Sequence, residues 1–165
     1  MRSDPTVAVD IRRLGPGDEA LLITAAAGVF DHRPQKNLTA EFLRDPRHHI
    51  VVAIDAGQVV GFVSAVHYVH PDKEAELWLN EVSVATTHQN RGVGRLMIEE
   101  MLVLGRALGC RCAWVLTNRT NAPAMRLYAS SGGIEEAVPS ILFEFQLNAA
   151  KESSPTSNSS DNVID

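Results

Sequence analysis

With 165 residues and 45% hydrophobic content, the chain holds enough apolar material for one ordinary core and little for a second. A formal charge of -5 argues against DNA or RNA as a partner, because phosphate contacts need clustered Lys and Arg, and it suits a cationic ligand. No apolar run approaches membrane-spanning length and the N-terminus lacks a basic segment followed by an apolar one, so a cytoplasmic protein without a membrane partner is expected.

Residues 1–6 read as a flexible end, and 7–13 (VAVDIRR) alternate like a strand. Gly15-Pro16-Gly17-Asp18 supplies a turn and a helix cap, after which an alanine- and leucine-rich helix is expected over 19–30, stopped by Asp31-His32-Arg33-Pro34. Thr39 can cap a short helix over 40–44 that Asp45-Pro46 ends. Segments 48–53 and 58–66 form an antiparallel pair through a hairpin at Asp55-Ala56-Gly57. His48 and His49 are strand neighbours facing opposite ways, which disfavours a shared metal ion; no metal site is expected. A polar connection over 67–76 follows, with Asp72, Glu74 and Glu76 able to attract a cation or simply to be solvated.

Residues 77–85 (LWLNEVSVA) then have the length and β-branched content to cross a sheet. A helix begins near Arg95, with Leu96, Met97, Met101, Leu102 and Leu104 at helical spacing, and ends near Leu108 before Gly109. Residues 111–116 (RCAWVL) have the profile of a buried parallel strand, and Cys110 and Cys112 read as buried free thiols, since C-x-C is neither redox nor zinc spacing. A helix over 121–131 carries Pro123 in its first turn, and 141–147 (ILFEFQL) alternates as a closing strand. A single domain over 7–148 is expected, with a Ser- and Asn-rich disordered tail over 149–165.

Between the 77–85 strand and the helix after it lies Gln89-Asn90-Arg91-Gly92-Val93-Gly94-Arg95. The first turn of a helix offers unpaired amides and the positive end of the dipole, which together seat a phosphate. Glycines at 92 and 94 keep side chains away from those amides, while Gln89, Arg91 and Arg95 add donors. A dinucleotide fingerprint needs a third glycine where Met97 stands, and a P-loop needs Gly-Lys-Ser/Thr, which is absent. Downstream, Asn121-Ala122-Pro123-Ala124-Met125-Arg126-Leu127-Tyr128 followed by Gly132 forms N-x-x-A-x-x-L-Y-x-x-x-G.

These two segments, in this order, resemble the pyrophosphate loop (Q/R-x-x-G-x-G/A) and the second signature of the GCN5-related N-acetyltransferases (GNAT). The resemblance implies an α/β (α+β) fold with a mixed, mostly antiparallel sheet flanked by helices. Its central strands splay apart to make the cleft for acetyl-coenzyme A (acetyl-CoA). It implies cofactor contacts from Val82, Val84, Gln89, Asn90, Arg91, Gly92, Val93, Gly94, Arg95, Asn121, Ala124 and Tyr128, with a backbone amide near Val84 stabilising charge on the carbonyl oxygen. Tyr128 matches the position of the family's usual general acid; a merely packed tyrosine is the competing reading. The first two helices of the family line the acceptor side, which draws attention to Asp31, His32 and Glu41.

An alkyl amine is protonated at neutral pH and must lose a proton before it attacks, so a base is needed. Family members often carry it at positions matching Trp78 or Asn80, neither of which is a base; Glu81 is offered instead. Strict alternation turns Glu81 to the face opposite Asn80, but a β-bulge can re-aim it, and a structural ion pair is the competing role. The chain also resembles the type I aminoglycoside 3-N-acetyltransferases in RLGPGDE, in the 49–84 stretch and in LY-x-x-x-G-x-x-EE. That likeness implies Glu81 as base or amine anchor. The acids at 72, 74, 76, 81, 135 and 136, close to the inferred cleft, suit capture of a polycation, so Asp72, Glu135 and Glu136, with Asp31 from the acceptor side, join Glu81 as candidate substrate contacts. The likeness departs at Gly133, where an aromatic or apolar residue is common, and at Pro139-Ser140. Another amine acceptor, or a cofactor-binding relative without turnover, stays open, as does a homodimer through the 141–147 edge.

Overall fold

A computed structural model describes residues 8–138, 140–145 and 147. It divides into two units, one ending at Glu135 and one beginning at Glu136. The first unit carries β1 (Asp10–Leu14), α1 (Glu19–Ile23), α2 (Lys36–Arg44), β2 (His48–Asp55), β3 (Gln58–Tyr68), β4 (Glu76–Val84), a 3-10 turn (Thr86–His88), α3 (Val93–Ala107), β5 (Cys112–Val115) and α4 (Ala122–Ser130). Its sheet runs β1-β2-β3-β4-β5, antiparallel throughout except for the parallel β4–β5 pair that α3 connects. The mixed, mostly antiparallel sheet flanked by helices is therefore present. No helix of the described residues is long and apolar enough to cross a membrane. The N-terminal residues 1–6 and the 149–165 tail lie outside the described residues.

Period-two burial decides which face is which. Leu77 on β4 is fully buried against α3, and a Cβ added to Gly61 on β3 would meet Met97 of the same helix. Residues in register with these, such as Ala65 opposite Leu79 and Val63 opposite Val82, share the α3 face. The alternate positions face α1 and α2: Phe62 stacks on Phe30, and His48 meets Phe42 edge-on. Burying Leu77, Met97 and Met101 each contributes about 2 kcal/mol, so α3 fastens the sheet most strongly.

Several sequence expectations are corrected. The helix expected over 19–30 stops at Ile23: Thr24 Oγ1 donates back to Ala20 and Leu21 carbonyls, and the Ala26 amide bonds Val59 O at 2.9 Å on β3 rather than continuing the helix. Gly28 then turns at φ +75°, and the segment crosses the sheet face as a loop. Asp18 precedes α1, but its carboxylate takes the Gly15 amide and the Arg12 guanidinium instead of capping the helix. Helix α2 begins at Lys36, one turn before the expected start, with Thr39 buried inside it and Gln35 at the N-cap. Strand β5 is parallel as expected, yet Cys112 and Ala113 are exposed, because β5 ends the sheet order. Cys112 is accordingly an exposed thiol, and Cys110 is half-buried with its pKa raised by burial. Residues 141–145 and 147 carry no strand; alternation describes a face to bury, whereas a ladder must come from a neighbour.

His48 and His49 do face opposite sides, in register with Val66 and Ala65. His49 meets His67 across the strand pair at 2.7 Å, and burial first, then the neighbouring His67 and His48, lower its pKa to about 4. Above pH 6.5 the ring is neutral folded or unfolded and contributes nothing to the pH dependence. Below that, the unfolded chain takes a proton the folded one refuses until about pH 4, so stability falls across that window. Full conversion of the shift gives about 3 kcal/mol, which solvent screening at a half-buried ring reduces to about 1–2 kcal/mol. A second loss begins where this one ends. Glu76 is held at a pKa of about 2 by hydrogen bonds from Lys73, Tyr68 and Arg111, against burial, and its stabilisation disappears as pH falls from 4.5 toward 2. Urea titrations at stepped pH should show both windows, and His49→Gln should flatten the upper one only; an unchanged upper limb in that variant refutes the assignment.

Candidate active site

The site is built where β4 leaves β5. Pairing between them runs from Glu76 opposite Cys112 to Leu79 opposite Val115 and stops. On the other side β4 stays bonded to β3 as far as Val84 opposite Gly61. From Asn80 to Val84 the β5-facing edge of β4 thus has no strand partner among the described residues, the splay that the family resemblance implies.

The departure begins at an irregularity. Ala65 pairs with Leu79 and Ser64 with Glu81, so Asn80 is an extra residue on β4, a β-bulge. Leu79 faces α3, whereas Glu81 shares the face of its partner Ser64, the side on which α1 and α2 pack. The re-aiming bulge is therefore where the sequence needed one. Val82 and Val84 return to the α3 side, opposite Val63 and Gly61.

Val29, Asp31, Phe62, Glu81, Val82 and Ser83 line a cleft of about 260 Å³ on that face. The shortened α1 matters here, since the loop it leaves carries Asp31 across the sheet to Glu81. Both carboxylates are exposed, and the aromatic floor of Phe62 under Phe30 gives the cleft one apolar wall. Further along the face, Trp78 and Trp114 stack with ring centroids 5.4 Å apart, and Tyr68 stands edge-on to Trp114. Among the other acceptor-side candidates, His32 is exposed, and Glu41 lines a separate hollow with Asn37, Arg44, Asp45, Pro46 and Arg47.

At the opposite end of the open edge, the chain makes a 3-10 turn and enters α3. Asn90 and Gly92 both lie in the left-handed region, at φ +58° and +79°, which suits Asn and Gly and strains other residues. Leu96 N makes the first intrahelical bond to Gly92 O at 3.1 Å, leaving the amides of Val93, Gly94 and Arg95 ahead of it. A Cβ added at Gly92 would stand in open space, whereas one at Gly94 would press on Leu127 of α4 at 3.2 Å. The two glycines thus do different work: the first bends the loop, and the second lets α4 approach. This loop, helix terminus and open strand edge fit a pyrophosphate followed by an extended amide-bearing arm, the donor set that coenzyme A requires.

Some side chains assigned to that cofactor have other employment. Gln89 Nε2 donates to Val84 O at 2.9 Å, tying the loop to the strand edge and leaving one N–H of the amide for a ligand. Arg95 pairs with Glu99 at 2.7 Å along α3. Asn121 caps α4 by accepting from Ala124 N at 3.2 Å, with Pro123 in the first turn as expected. Arg91 is exposed beside the loop, and Ala124 is half-buried. Tyr128 lies half-buried near the end of α4, and burial raises its pKa, keeping the phenol protonated as a proton donor must be. Gly133, the departure from the aminoglycoside subfamily pattern, is explained locally: its amide bonds Tyr128 O at 2.9 Å, and a Cβ would meet that oxygen at 2.9 Å.

The acids assigned to the substrate divide. Asp31 and Glu81 come together. Asp72 and Glu74 are exposed in the loop before β4, but Glu76 is 7% exposed and engaged by Lys73, Arg111 and Tyr68, so it is not free to attract a cation. Glu135 is ion-paired with Arg119, and Glu136 belongs to the second unit. Sequence reading missed the bond from His88 Nε2 to Asp55 Oδ2 at 3.0 Å, which ties the turn before the glycine loop to the β2–β3 hairpin. It also missed Ser64, which only the strand register places opposite Glu81.

Comparison with known proteins agrees with this geometry. The model of the acetyltransferase (GNAT) family matches residues 19–132. An uncharacterised N-acetyltransferase of Mycobacterium tuberculosis is 27% identical over 93 residues, covering 56% of this chain and 57% of that protein. The chain spans about half the length of the curated relatives it matches. An aminoglycoside acetyltransferase from an uncultured soil metagenomic sample, solved with sisomicin, superposes with a TM-score of 0.70 at 18% identity, over 84% of this chain and 97% of that one. The aminoglycoside N-acetyltransferase AAC(6')-Iy, solved with CoA, gives 0.68 at 20% identity, over 85% and 95%. With the splayed strands, the glycine loop at the head of α3 and the family model spanning both, the chain belongs to the acetyltransferase (GNAT) family.

Proposed function

We propose that the protein transfers acetyl from acetyl-CoA to an amine of a cationic aminoglycoside, by direct transfer with both substrates bound, and that it confers resistance in this way. The observation that carries the reading is the bulge at Asn80, which sets Glu81 beside Asp31 in a cleft next to the open edge of β4. Two exposed carboxylates suit an acceptor bearing several ammonium groups, one to be deprotonated and another to be held. Asp72, exposed in the loop before β4, stands at the far end of that strand from Glu81 and adds to the overall negative charge rather than to this pair. The known acetyltransferases of this fold that act on such drugs lend support; the 3-N position follows from the sequence resemblance alone.

Acetyl-CoA, held by the amides of Val93 to Arg95 and the strand edge at Val82 and Val84, supplies the acetyl group as a thioester. Glu81 accepts the proton that the acceptor ammonium must lose before its nitrogen can attack. The Val84 region offers backbone amide to the carbonyl oxygen as charge develops there. Tyr128 Oη donates the proton that the leaving sulfur takes up, and its raised pKa keeps that proton available.

The test is thiol release from acetyl-CoA by the purified protein with gentamicin, sisomicin, kanamycin and spermidine in parallel, with product NMR to locate the acetyl group. Turnover on the gentamicin-type drugs is expected to exceed that on spermidine, and Tyr128→Phe should lower kcat by about 10- to 100-fold. Silence with every aminoglycoside, alongside turnover of spermidine, would replace the acceptor class and keep the chemistry.

A further inference from the structure

Ser64 sits at the centre of the acceptor face with a hydroxyl that no described residue engages. The residue is 6% exposed, and its Oγ has no hydrogen-bond partner among the described residues. Its four neighbours on that face are fixed by register and alternation: Ile50 across β2, Phe62 and Val66 along β3, and Glu81 across β4. Three of these are hydrocarbon. Only Glu81 can exchange a hydrogen bond, and side chains directly opposite in an antiparallel pair have Cβ atoms about 5 Å apart.

A buried, unsatisfied hydroxyl is costly where alanine would fit without penalty. Glu81, meanwhile, is exposed, at the lip of the cleft that also holds Asp31. We propose that Ser64 is a positioning residue whose Oγ–H donates to the Glu81 carboxylate once that side chain turns inward onto a bound acceptor amine. The hydroxyl is left waiting in the free protein and satisfied in the complex. It fixes one carboxylate oxygen, so that the other faces the ammonium. The proposal deepens the acetyl-transfer reading of the cleft and rests on it.

Ser64→Ala separates this role from packing, because the two predict opposite stability changes. With no partner in the free protein, loss of the hydroxyl should leave Tm equal to or above that of the parent. With acceptor at saturation, kcat should fall about 10-fold while the KM for acetyl-CoA is unchanged. In a Glu81→Gln background the same substitution should have no further effect on kcat, since Ser64 acts only through that carboxylate. A lowered Tm with kcat intact, or a full 10-fold loss persisting in the Glu81→Gln background, overturns the proposal. If the parent binds polycations such as spermine calorimetrically yet transfers nothing, the transferase reading fails instead. Ser64 is then read from binding: Ser64→Ala should weaken the parent severalfold and leave Glu81→Gln unaffected, and equal affinities with and without the hydroxyl would refute it. Absence of both turnover and polycation binding overturns both readings.

Discussion

Replacing Glu81 with Gln should lower kcat for amine acetylation by about 10²- to 10⁴-fold, the range a positioned general base supplies, with the affinity for coenzyme A unchanged. The separation is expected because Glu81 projects to the α1 and α2 side, whereas Val82, Val84 and the head of α3 bound the open edge from the other side. Deleting Asn80 should do the reverse. Without the extra residue, Leu79 and Glu81 alternate regularly and Glu81 keeps its face, but the strand loses the bend that a bulge imposes. Pairing of β4 with β5 can then extend past Leu79 and close the gap in which the arm of the cofactor must lie. The deletion should raise the KM for acetyl-CoA by at least 10-fold and be felt in calorimetric binding of coenzyme A without any acceptor. A deletion variant that binds coenzyme A like the parent would separate the bulge from the splay, and a Glu81→Gln variant with parental kcat would remove the base.

What sequence disclosed of this site is what is local in the chain. The glycine loop is legible because left-handed backbone at Gly92 and close approach at Gly94 exclude most side chains, and the α4 signature because capping by Asn121 and packing by Leu127 fall at fixed offsets. The bulge shows the limit. Its need could be argued from Glu81 standing out of phase in an apolar strand, but its position is a relation between β3 and β4 that neither strand encodes alone. Ser64 is invisible for the same reason.

Competition between local and distant partners accounts for the other departures. Residues 19–27 are mostly good helix material, yet the Ala26 amide bonds Val59 O, and the chain gives up about two turns of the expected helix to place Asp31 at the cleft. Glu76 looked like one of three solvated acids; its lowered pKa comes from Lys73, Tyr68 and Arg111, the last of them 35 residues away. Sequence reads Gln89 and Arg95 as free donors at the loop, but in the structure Gln89 ties the loop to Val84 O and Arg95 pairs with Glu99 one turn along α3.

Gly61→Ala should be among the most damaging single-methyl additions to this fold, although Gly61 touches neither motif. A Cβ there would stand 2.9 Å from Ser83 O and 3.0 Å from Met97 Cε, and the first of these is backbone that cannot rotate away. The expected loss is about 2–3 kcal/mol, toward the upper end for overpacking a core, or about 5–10 °C in Tm for a chain of this size. Gly105→Ala provides the contrast. Its Cβ would meet Leu77 Cδ2 at 2.9 Å, the far end of a side chain rather than backbone, and alanine in the last turn of α3 recovers up to about 1 kcal/mol of helix propensity, so the net change should lie within about 1 kcal/mol of zero. The damage from Gly61 should also reach the cofactor: Ser83 and Val84 are the segment that leaves β5, and pushing them off β3 moves the strand edge on which the cofactor arm must bond. Urea midpoints for the two variants, measured beside coenzyme A binding, should therefore fall together for Gly61→Ala and stay together near the parent for Gly105→Ala. Equal midpoints in the two variants would mean that β4 yields at Ser83 without cost, and that the open edge is held by the loop and α3 alone.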